Sequence, residues 1–120
     1  MADVPTALPV MPGLAGVELT PVEASRLIEG NPRQAAFNQF SNSRGNFHCG
    51  VWVSEPGTWR ISYTEDELCV LLEGEAILTD AAGVSRRFGS GDAFVVPAGF
   101  VGTWQSIGTV RKYYAVYEEP

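Results

Sequence analysis

The residues with the clearest capacity for chemistry are Tyr63 and Glu67, in the stretch ISYTEDELCVLLEGEAIL at positions 61–78. An unpaired buried carboxylate is costly, so Glu67 on the inner face of a strand would be an unusual core residue. As a catalytic pair, Glu67 would act as a general base and the Tyr63 phenol as a proton donor, which suits proton abstraction, epimerisation or tautomerisation. Alternatively, Glu67 accepts a hydrogen bond from Tyr63 or Trp104 inside a filled core.

Strand alternation predicts which residues surround this pair. In TWRISYT, the side chains of Trp59, Ile61 and Tyr63 share one face. In ELCVLLEG, Glu67 and Cys69 share one face in the same way. A carboxylate next to Cys69 would raise the pKa of its thiol, so we do not expect Cys69 to be a nucleophile.

The elements that must position these residues are short β-strands. From about residue 35, stretches rich in β-branched and aromatic residues alternate with turn formers such as SEPG, DAAG and GSGD. Many short strands with regular turns are typical of a sandwich or a jelly-roll barrel. Because one face of each strand lines the inside of a barrel, the face that carries Glu67 is predicted to point inward.

The N-terminal part of the chain has a different pattern. The first 19 residues contain three prolines and no sustained period, which predicts an extended arm. TPVEASRLIEG predicts a short helix with Thr20 as its cap, Glu23 completing a capping box and Gly30 at its end. We therefore predict an arm with one short helix over residues 1–34 and a barrel domain over residues 35–120.

Composition excludes several classes of function. The 120 residues are 45% hydrophobic and 18% charged, which is typical of one globular domain. The net charge of −6 repels phosphate backbones, so we expect no nucleic-acid partner. No apolar run approaches the ~20 residues that span a bilayer, and Asp3 stands where a signal peptide carries a basic residue. We expect a cytoplasmic protein, with Cys49 and Cys69 as free thiols and no membrane partner.

Two motifs in the strand region resemble those of the cupin superfamily of small RmlC-like jelly-roll barrels. Glu67 and Gly74 have the spacing of the first cupin motif, and GDAFVVPAGFVGTWQS matches the second motif through Gly91, Pro97 and Gly99. More narrowly, PGTWRISYTEDELCVLLEG and VRKYY resemble the single-domain branch related to the (S)-ureidoglycine aminohydrolase cupin domain and the ethanolamine-utilisation cupin. The resemblance implies an all-β, double-stranded β-helix, in a branch whose members mostly have no assigned activity.

The chain departs from the cupin pattern at the metal ligands. Where the resemblance implies two histidines in the first motif, the chain has Ile61 and Tyr63. The histidine and asparagine positions of the second motif hold Gly102 and Ser106, so only Glu67 remains of the ligand set. One carboxylate does not hold a transition metal tightly, so we expect no cofactor. Because the branch's aminohydrolases are manganese enzymes, Mn, Zn, Ni or Fe bound through Glu67 and atypical donors stays as an alternative.

Without a metal, these positions define the wall of a small-molecule pocket. Trp104 follows Gly102 by two residues, so strand alternation points its indole inward beside the vacant ligand position. The predicted lining around Tyr63 and Glu67 is Trp59, Ile61, Cys69, Gly102 and Trp104. An aromatic wall with a few convergent polar groups is the usual make-up of a small-ligand site.

Three functions stay open at this point: a metal-free acid–base enzyme acting on a small polar metabolite, a non-catalytic metabolite-binding or structural cupin, and a metal-dependent aminohydrolase-like enzyme. The inside of such a barrel can form an open cup. An open cup would favour binding or catalysis, whereas a cup filled by the Trp104 side chain would favour a structural role. Exposed edge strands and the proline-rich arm predict a homodimer in which the arm or an edge strand is exchanged.

Overall fold

The computed structural model describes residues 4–120, and over this range the chain forms nine β-strands and no helix. Every strand pair is antiparallel. The strands are β1 (Thr20–Pro21), β2 (Leu27–Gly30), β3 (Arg33–Ser41), β4 (Phe47–Ser54), β5 (Gly57–Ser62), β6 (Asp66–Asp80), β7 (Ser85–Gly89), β8 (Ala93–Val96) and β9 (Val101–Tyr117).

The two longest strands, β6 and β9, run side by side and organise the barrel. The first half of β9 pairs with β5 and its second half pairs with β4, while β6 pairs with both halves from the other side. β8 and β7 extend the sheet along the first and second halves of β6. β3 and β1 continue from β4, and β2 continues from β5. The sheet thus curls into two layers that share β6 and β9, which is the predicted jelly-roll barrel.

Gly74 allows β6 to bend from one layer into the other. Its φ is +80°, a left-handed conformation that residues with a Cβ rarely adopt. A Cβ at this position would also lie 2.2 Å from the carbonyl oxygen of Thr109 on β9. The β6–β9 register shifts on both sides of Glu73, next to this bend. The first-motif glycine is therefore required by the crossing of the two central strands.

The hydrophobic core fills the space between the layers. The predicted alternation of β5 is confirmed, because Trp59 and Ile61 are 3% and 5% exposed while Arg60 and Ser62 are exposed. The remaining buried members of this cluster are Val22, Cys69, Leu71, Ala76, Leu78, Val96, Trp104 and Val110. Phe88 and Phe94 stack with ring centroids 3.9 Å apart beside it. Inward-facing residues of the two layers therefore form one core.

The predicted helix over residues 20–30 is wrong. Its capping signals form only one turn, in which the backbone N–H groups of Arg26 and Leu27 donate to the carbonyl of Glu23. On either side of this turn, β1 pairs with β3 and β2 pairs with β5. Pairing with the barrel and burial of Val22 in the core outweigh a helix propensity that is weak for so short a segment.

Residues 4–19, which precede β1, form no strand or helix and are attached to the barrel at two points. The backbone N–H of Met11 donates to Gln39 Oε1 at 2.6 Å, and Gln39 Nε2 donates to the Met11 carbonyl at 2.8 Å. Arg111 Nη1 donates to the carbonyl of Pro12 at 2.5 Å. Across residues 4–120, no helix is long and apolar enough to cross a membrane.

Candidate functional site

An open cavity of about 310 Å³ lies inside the barrel and contains most of the residues that the sequence singled out. Its volume is at the lower end of the range of small-molecule sites. The lining comes from β3, β4, β5, β6, β9, residue 63 after β5 and the turn before β2. The lining residues are Arg26, Gln34, Ala36, Trp52, Trp59, Ile61, Tyr63, Glu67, Trp104, Lys112, Tyr114 and Val116.

The structure brings five of the seven predicted site residues to this cavity. These are Trp59, Ile61, Tyr63, Glu67 and Trp104. Cys69 is fully buried beside Glu67 and does not line the cavity. Gly102, the seventh, is also absent from the cavity wall.

Glu67 forms a buried ion pair with Lys112. Lys112 Nζ lies 2.6 Å from Glu67 Oε2, and the two side chains are 5% and 12% exposed. The Cys69 thiol donates to the same oxygen at 3.0 Å, and Lys112 Nζ lies 3.4 Å from Cys69 Sγ. In the β6–β9 register, Lys112 pairs with Leu71 and Glu67 pairs with Val116, so the long Lys112 side chain reaches along the barrel interior to Glu67. Neither charge is left uncompensated in the barrel.

Two indole rings hold the other sides of the Lys112 ammonium. Nζ lies 4.8 Å from the Trp52 ring centroid and 4.5 Å from the Trp104 ring centroid, within the range of cation–π attraction. The two indoles are themselves fixed by hydrogen bonds. Trp52 Nε1 donates to Gln34 Oε1 at 2.9 Å, and Trp104 Nε1 donates to Ser106 Oγ at 2.8 Å.

Burial sets the protonation states of the groups around this pair. Burial raises the pKa of the Tyr63 phenol to about 12, so Tyr63 is a neutral hydrogen-bond donor at neutral pH. Burial also raises the pKa of the Cys69 thiol to about 12, with Glu67 as a smaller cause, so the thiol is inert. Burial acts to lower the pKa of Lys112, but the surrounding Cys69, Tyr63 and Glu67 raise it above its ordinary value. Lys112 is therefore an ammonium ion.

Trp104 forms part of the wall and leaves the cup open. Its side chain is 2% exposed, and its hydrogen bond to Ser106 continues to Ser54 Oγ, 2.6 Å from Ser106 Oγ. Ser106, at the position where the resemblance implies an asparagine, therefore anchors the indole. The cavity is open with Trp104 in its wall, so this indole does not plug the barrel.

Gly102 lies at a close backbone crossing and not at the cup wall. It pairs with Ile61 on β5 and with Asp80 on β6. A Cβ at this position would lie 1.9 Å from the backbone oxygen of Thr79. This glycine is required by packing, and no larger side chain fits there.

The residues of the cup do not fit a transition-metal ion. Residues 4–120 contain no group of three or more His, Cys, Asp or Glu side chains placed to hold one. Glu67 Oε2 is occupied by Lys112, whose positive charge opposes a second cation nearby. His48, the one histidine, is held by Ser41 Oγ at 2.6 Å and by the Gly45 carbonyl at 3.0 Å, and it does not line the cavity. The manganese-type alternative therefore has no ligand set in this cup.

Lys112 is the most important residue that sequence reasoning missed as a cup residue. Alternation along VRKYYAV did contain the signal, because Val110, Lys112 and Tyr114 share a face. Lysine side chains are usually exposed, so the alternation of the strand alone did not indicate that the Lys112 ammonium is buried against Glu67.

The comparisons with known proteins agree with this fold. A sequence profile of the EutQ-like cupin domain matches residues 42–114. A protein with unknown function from Pseudomonas syringae pv. tomato is 32% identical, with a TM-score of 0.73 over 84% of this chain and 45% of that chain. No functionally curated protein matches.

Two more distant structures share the fold. The EutQ protein of Clostridium difficile is 17% identical, with a TM-score of 0.65 over 72% of this chain and 63% of that chain. The cupin domain of Schizosaccharomyces pombe Cnp3 is 20% identical, with a TM-score of 0.63 over 89% of this chain and 72% of that chain. The chain spans less than half of the Pseudomonas protein and less than two thirds of the Clostridium protein. Together with the profile match, the jelly-roll barrel shows that this chain belongs to the family of EutQ-like cupin domains.

Proposed function

We propose that this cupin binds a compact polar metabolite in the cup without needing a metal ion. The observation that carries the proposal is the open cavity of about 310 Å³ with the Lys112–Glu67 ion pair in its wall. Two charges inside a barrel are not needed for stability, because a protein with well-packed apolar residues of similar volume in their place is often equally stable. An open cup with a fixed ammonium and aromatic walls has the composition of a ligand site.

Unused hydrogen-bond donors indicate what such a ligand presents. Within residues 4–120, the Gln34 side chain uses its Oε1 to accept from Trp52, and the Arg26 guanidinium donates from its Nε to the Arg60 carbonyl, so the Gln34 amide and the Arg26 Nη groups have N–H donors to spare. Lys112 has three N–H groups, of which two donate to Glu67 and Cys69. The lining carries two cationic side chains and one anionic side chain, Glu67, which gives a net charge of +1 inside a protein of net charge −6. These features favour a ligand with a carbonyl or carboxylate group and a planar or apolar body.

Tryptophan fluorescence tests the proposal directly, because all three tryptophans of the chain line the cavity. Titration with pyruvate, benzoate and their neutral amides should change the emission and raise the thermal midpoint in a saturable manner. Arg26→Gln should weaken binding of the carboxylates. Arg60→Gln is the matched control, because Arg60 forms its hydrogen bonds with Arg26 through its backbone N–H and carbonyl, and its side chain is exposed. If none of these compounds and no wider set of small carbonyl compounds shifts emission or midpoint, the binding function is wrong.

A second candidate function is acid–base catalysis in the same cup. The observation that favours it is the convergence of the neutral Tyr63 phenol, the Glu67 carboxylate and the Lys112 ammonium on one cavity. Glu67 would remove a proton from the carbon next to a carbonyl, and Lys112 and Tyr63 would stabilise the negative charge on oxygen. Proton NMR in deuterium oxide should then show exchange at that carbon. Tyr63→Phe should slow the exchange, and the absence of any exchange for every bound ligand would reject catalysis.

We also propose that the chain is cytoplasmic and forms a homodimer through the arm or an edge strand. Cys49 and Cys69 are both free, which suits a reducing compartment. The arm carries exposed apolar side chains, with Val4 83%, Leu8 61% and Met11 54% exposed. Such side chains are typical of a surface that another chain covers.

A further inference from the structure

The cup contains a cation that belongs to the protein, the Lys112 ammonium. This group is buried, although the cavity that it lines is open. Lys112 is 4% exposed, and its Nζ contacts side chains that come from two other strands and from β9 itself. Glu67 Oε2 lies at 2.6 Å, Cys69 Sγ at 3.4 Å, and the Trp52 and Trp104 ring centroids at 4.8 and 4.5 Å. One anion, one sulfur and two aromatic faces therefore surround a single ammonium group.

These contacts are organised for a positive charge. A lysine that only filled space would extend its ammonium to solvent and leave its methylenes inside. Here the ammonium is the buried end, and the two indoles that face it are fixed by Gln34 and Ser106. Aromatic faces combined with a carboxylate are what proteins use to recognise ammonium ions. The side chains around Nζ thus make a cage for a cation.

The position of the cage matters because Glu67 stands at the ligand position of the first cupin motif. We infer that the Lys112 side chain takes the place of a metal ion in this cupin, supplying from the protein the positive charge that faces the cup. The geometry of Gly102 points the same way, since the close approach of Thr79 leaves no room for a ligand side chain there. A tethered ammonium cannot be exchanged or chelated, and its third N–H can donate a hydrogen bond to an oxygen of the bound ligand.

This inference goes beyond ligand binding and can be tested without knowing the ligand. Lys112→Ala removes three carbons and the ammonium, which together correspond to n-propylammonium. Added n-propylammonium should raise the thermal midpoint of Lys112→Ala by roughly half of the loss or more, saturably, and change its tryptophan emission. 1-Propanol at the same concentration is the neutral control. Leu71→Ala is the control variant, because it opens a hole in the core next to Lys112 but keeps the ammonium.

Several outcomes decide the inference. A response to n-propylammonium that is absent with 1-propanol, absent in Leu71→Ala and lost in the double variant Glu67→Gln, Lys112→Ala supports a cation cage. Equal responses to the amine and the alcohol would show a merely apolar hole and overturn it. A folded Lys112→Ala with no response to the amine would overturn it as well.

A second measurement uses the wild-type chain and decides the matter even where Lys112→Ala does not fold. The three indole N–H peaks of the 15N-labelled protein report on the cup, because every tryptophan lines it. With Lys112 as the resident cation, one equivalent of Mn²⁺ should leave these peaks sharp. Stoichiometric broadening of the Trp52 and Trp104 peaks would place a metal ion beside Glu67 and overturn the inference, while leaving ligand binding in the cup open to its own test.

Discussion

At the scale of single residues, the site depends on how a carboxylate and an ammonium are kept inside a barrel. Glu67 and Lys112 lie on the neighbouring strands β6 and β9, with Lys112 Nζ 2.6 Å from Glu67 Oε2. The Cys69 thiol donates to the same Glu67 oxygen. Their attraction offsets the desolvation of both charges only while both are present. Loss of either partner therefore leaves the other as an unpaired buried charge. This holds whether or not the ion pair is more stabilising than apolar residues would be at the same positions.

A double-mutant cycle tests this coupling. Glu67→Gln and Lys112→Met should each lower the free energy of unfolding by about 3 kcal/mol, because each leaves one buried charge without its partner. The double variant should lose clearly less than the sum, as urea denaturation would show. Glu75→Gln breaks the exposed pair with Arg87 and should cost less than about 0.5 kcal/mol. Additive losses in the double variant would contradict a coupled pair.

The Tyr63 phenol gives the barrel a dependence on alkaline pH. Its folded-state pKa, raised to about 12, lies above the value near 10 of the unfolded chain. A group with a raised folded-state pKa contributes stability below pH 10, and this contribution is lost as the pH rises toward 12. At pH 11 the loss attributable to Tyr63 should be about 1 kcal/mol relative to pH 8.

Unfolding curves at both pH values measure this contribution. Tyr63→Phe should show a smaller fall in stability between pH 8 and pH 11 than the wild-type chain. Tyr117→Phe, which removes an exposed phenol, should keep the wild-type fall. An unchanged slope in Tyr63→Phe would mean that the phenol is not buried as described.

At the scale of elements, β6 and β9 decide which positions can carry a side chain. Both strands are shared by the two layers, and they approach each other closely where the sheet folds over. Gly74 and Gly102 occupy such points. A Cβ on Gly74 would lie 2.2 Å from the backbone oxygen of Thr109, and a Cβ on Gly102 would lie 1.9 Å from the backbone oxygen of Thr79. Glycine at the histidine position of the second motif is therefore part of the strand geometry, and a histidine cannot be restored there by a single change.

Gly102→Ala tests this account of the crossing. We expect the free energy of unfolding to fall by about 2–3 kcal/mol, because a new Cβ must push the Thr79 carbonyl away from β9. Val101→Ala is the matched neighbour, since Val101 is 54% exposed, and it should be nearly neutral. Thermal denaturation of both variants gives the comparison. A stable Gly102→Ala would show that the two strands can separate at little cost.

At the scale of the whole molecule, exposed apolar side chains lie on the segment before β1 and on the barrel. The chain measures 53 × 32 × 28 Å, and the contacts of Met11 and Pro12 attach the arm to the outside of β3 and β9. Several exposed apolar residues lie on the arm, and Leu68 and Val95 form an exposed cross-strand pair on the barrel. An elongated chain with apolar residues on its outside is suited to association with a second copy.

Light scattering after size exclusion tests the proposed homodimer. The expected mass is about 26 kDa, twice the 13.0 kDa of one chain. Changing both Leu8 and Met11 to Asp should shift the mass toward the monomer, because it places charges on the apolar side chains of the arm. Val84→Asp, an equally exposed site in the β6–β7 turn, should leave the mass unchanged. A mass near that of one chain at every concentration would contradict the proposal.

The sequence by itself determined an all-β chain, because alternation along β5 and β6 depends on local geometry, and the resemblance carried by Glu67 and Gly74 implied the barrel. The same alternation brought Trp59, Ile61 and Tyr63 to one face and predicted an inward Glu67. Tertiary structure alone decided three other points: that residues 20–30 join the sheet instead of forming a helix, that Gly102 belongs to a strand crossing, and that Lys112 is the partner of Glu67. Each of these depends on which strands become neighbours, and pairing between distant segments leaves no local periodicity from which it can be read.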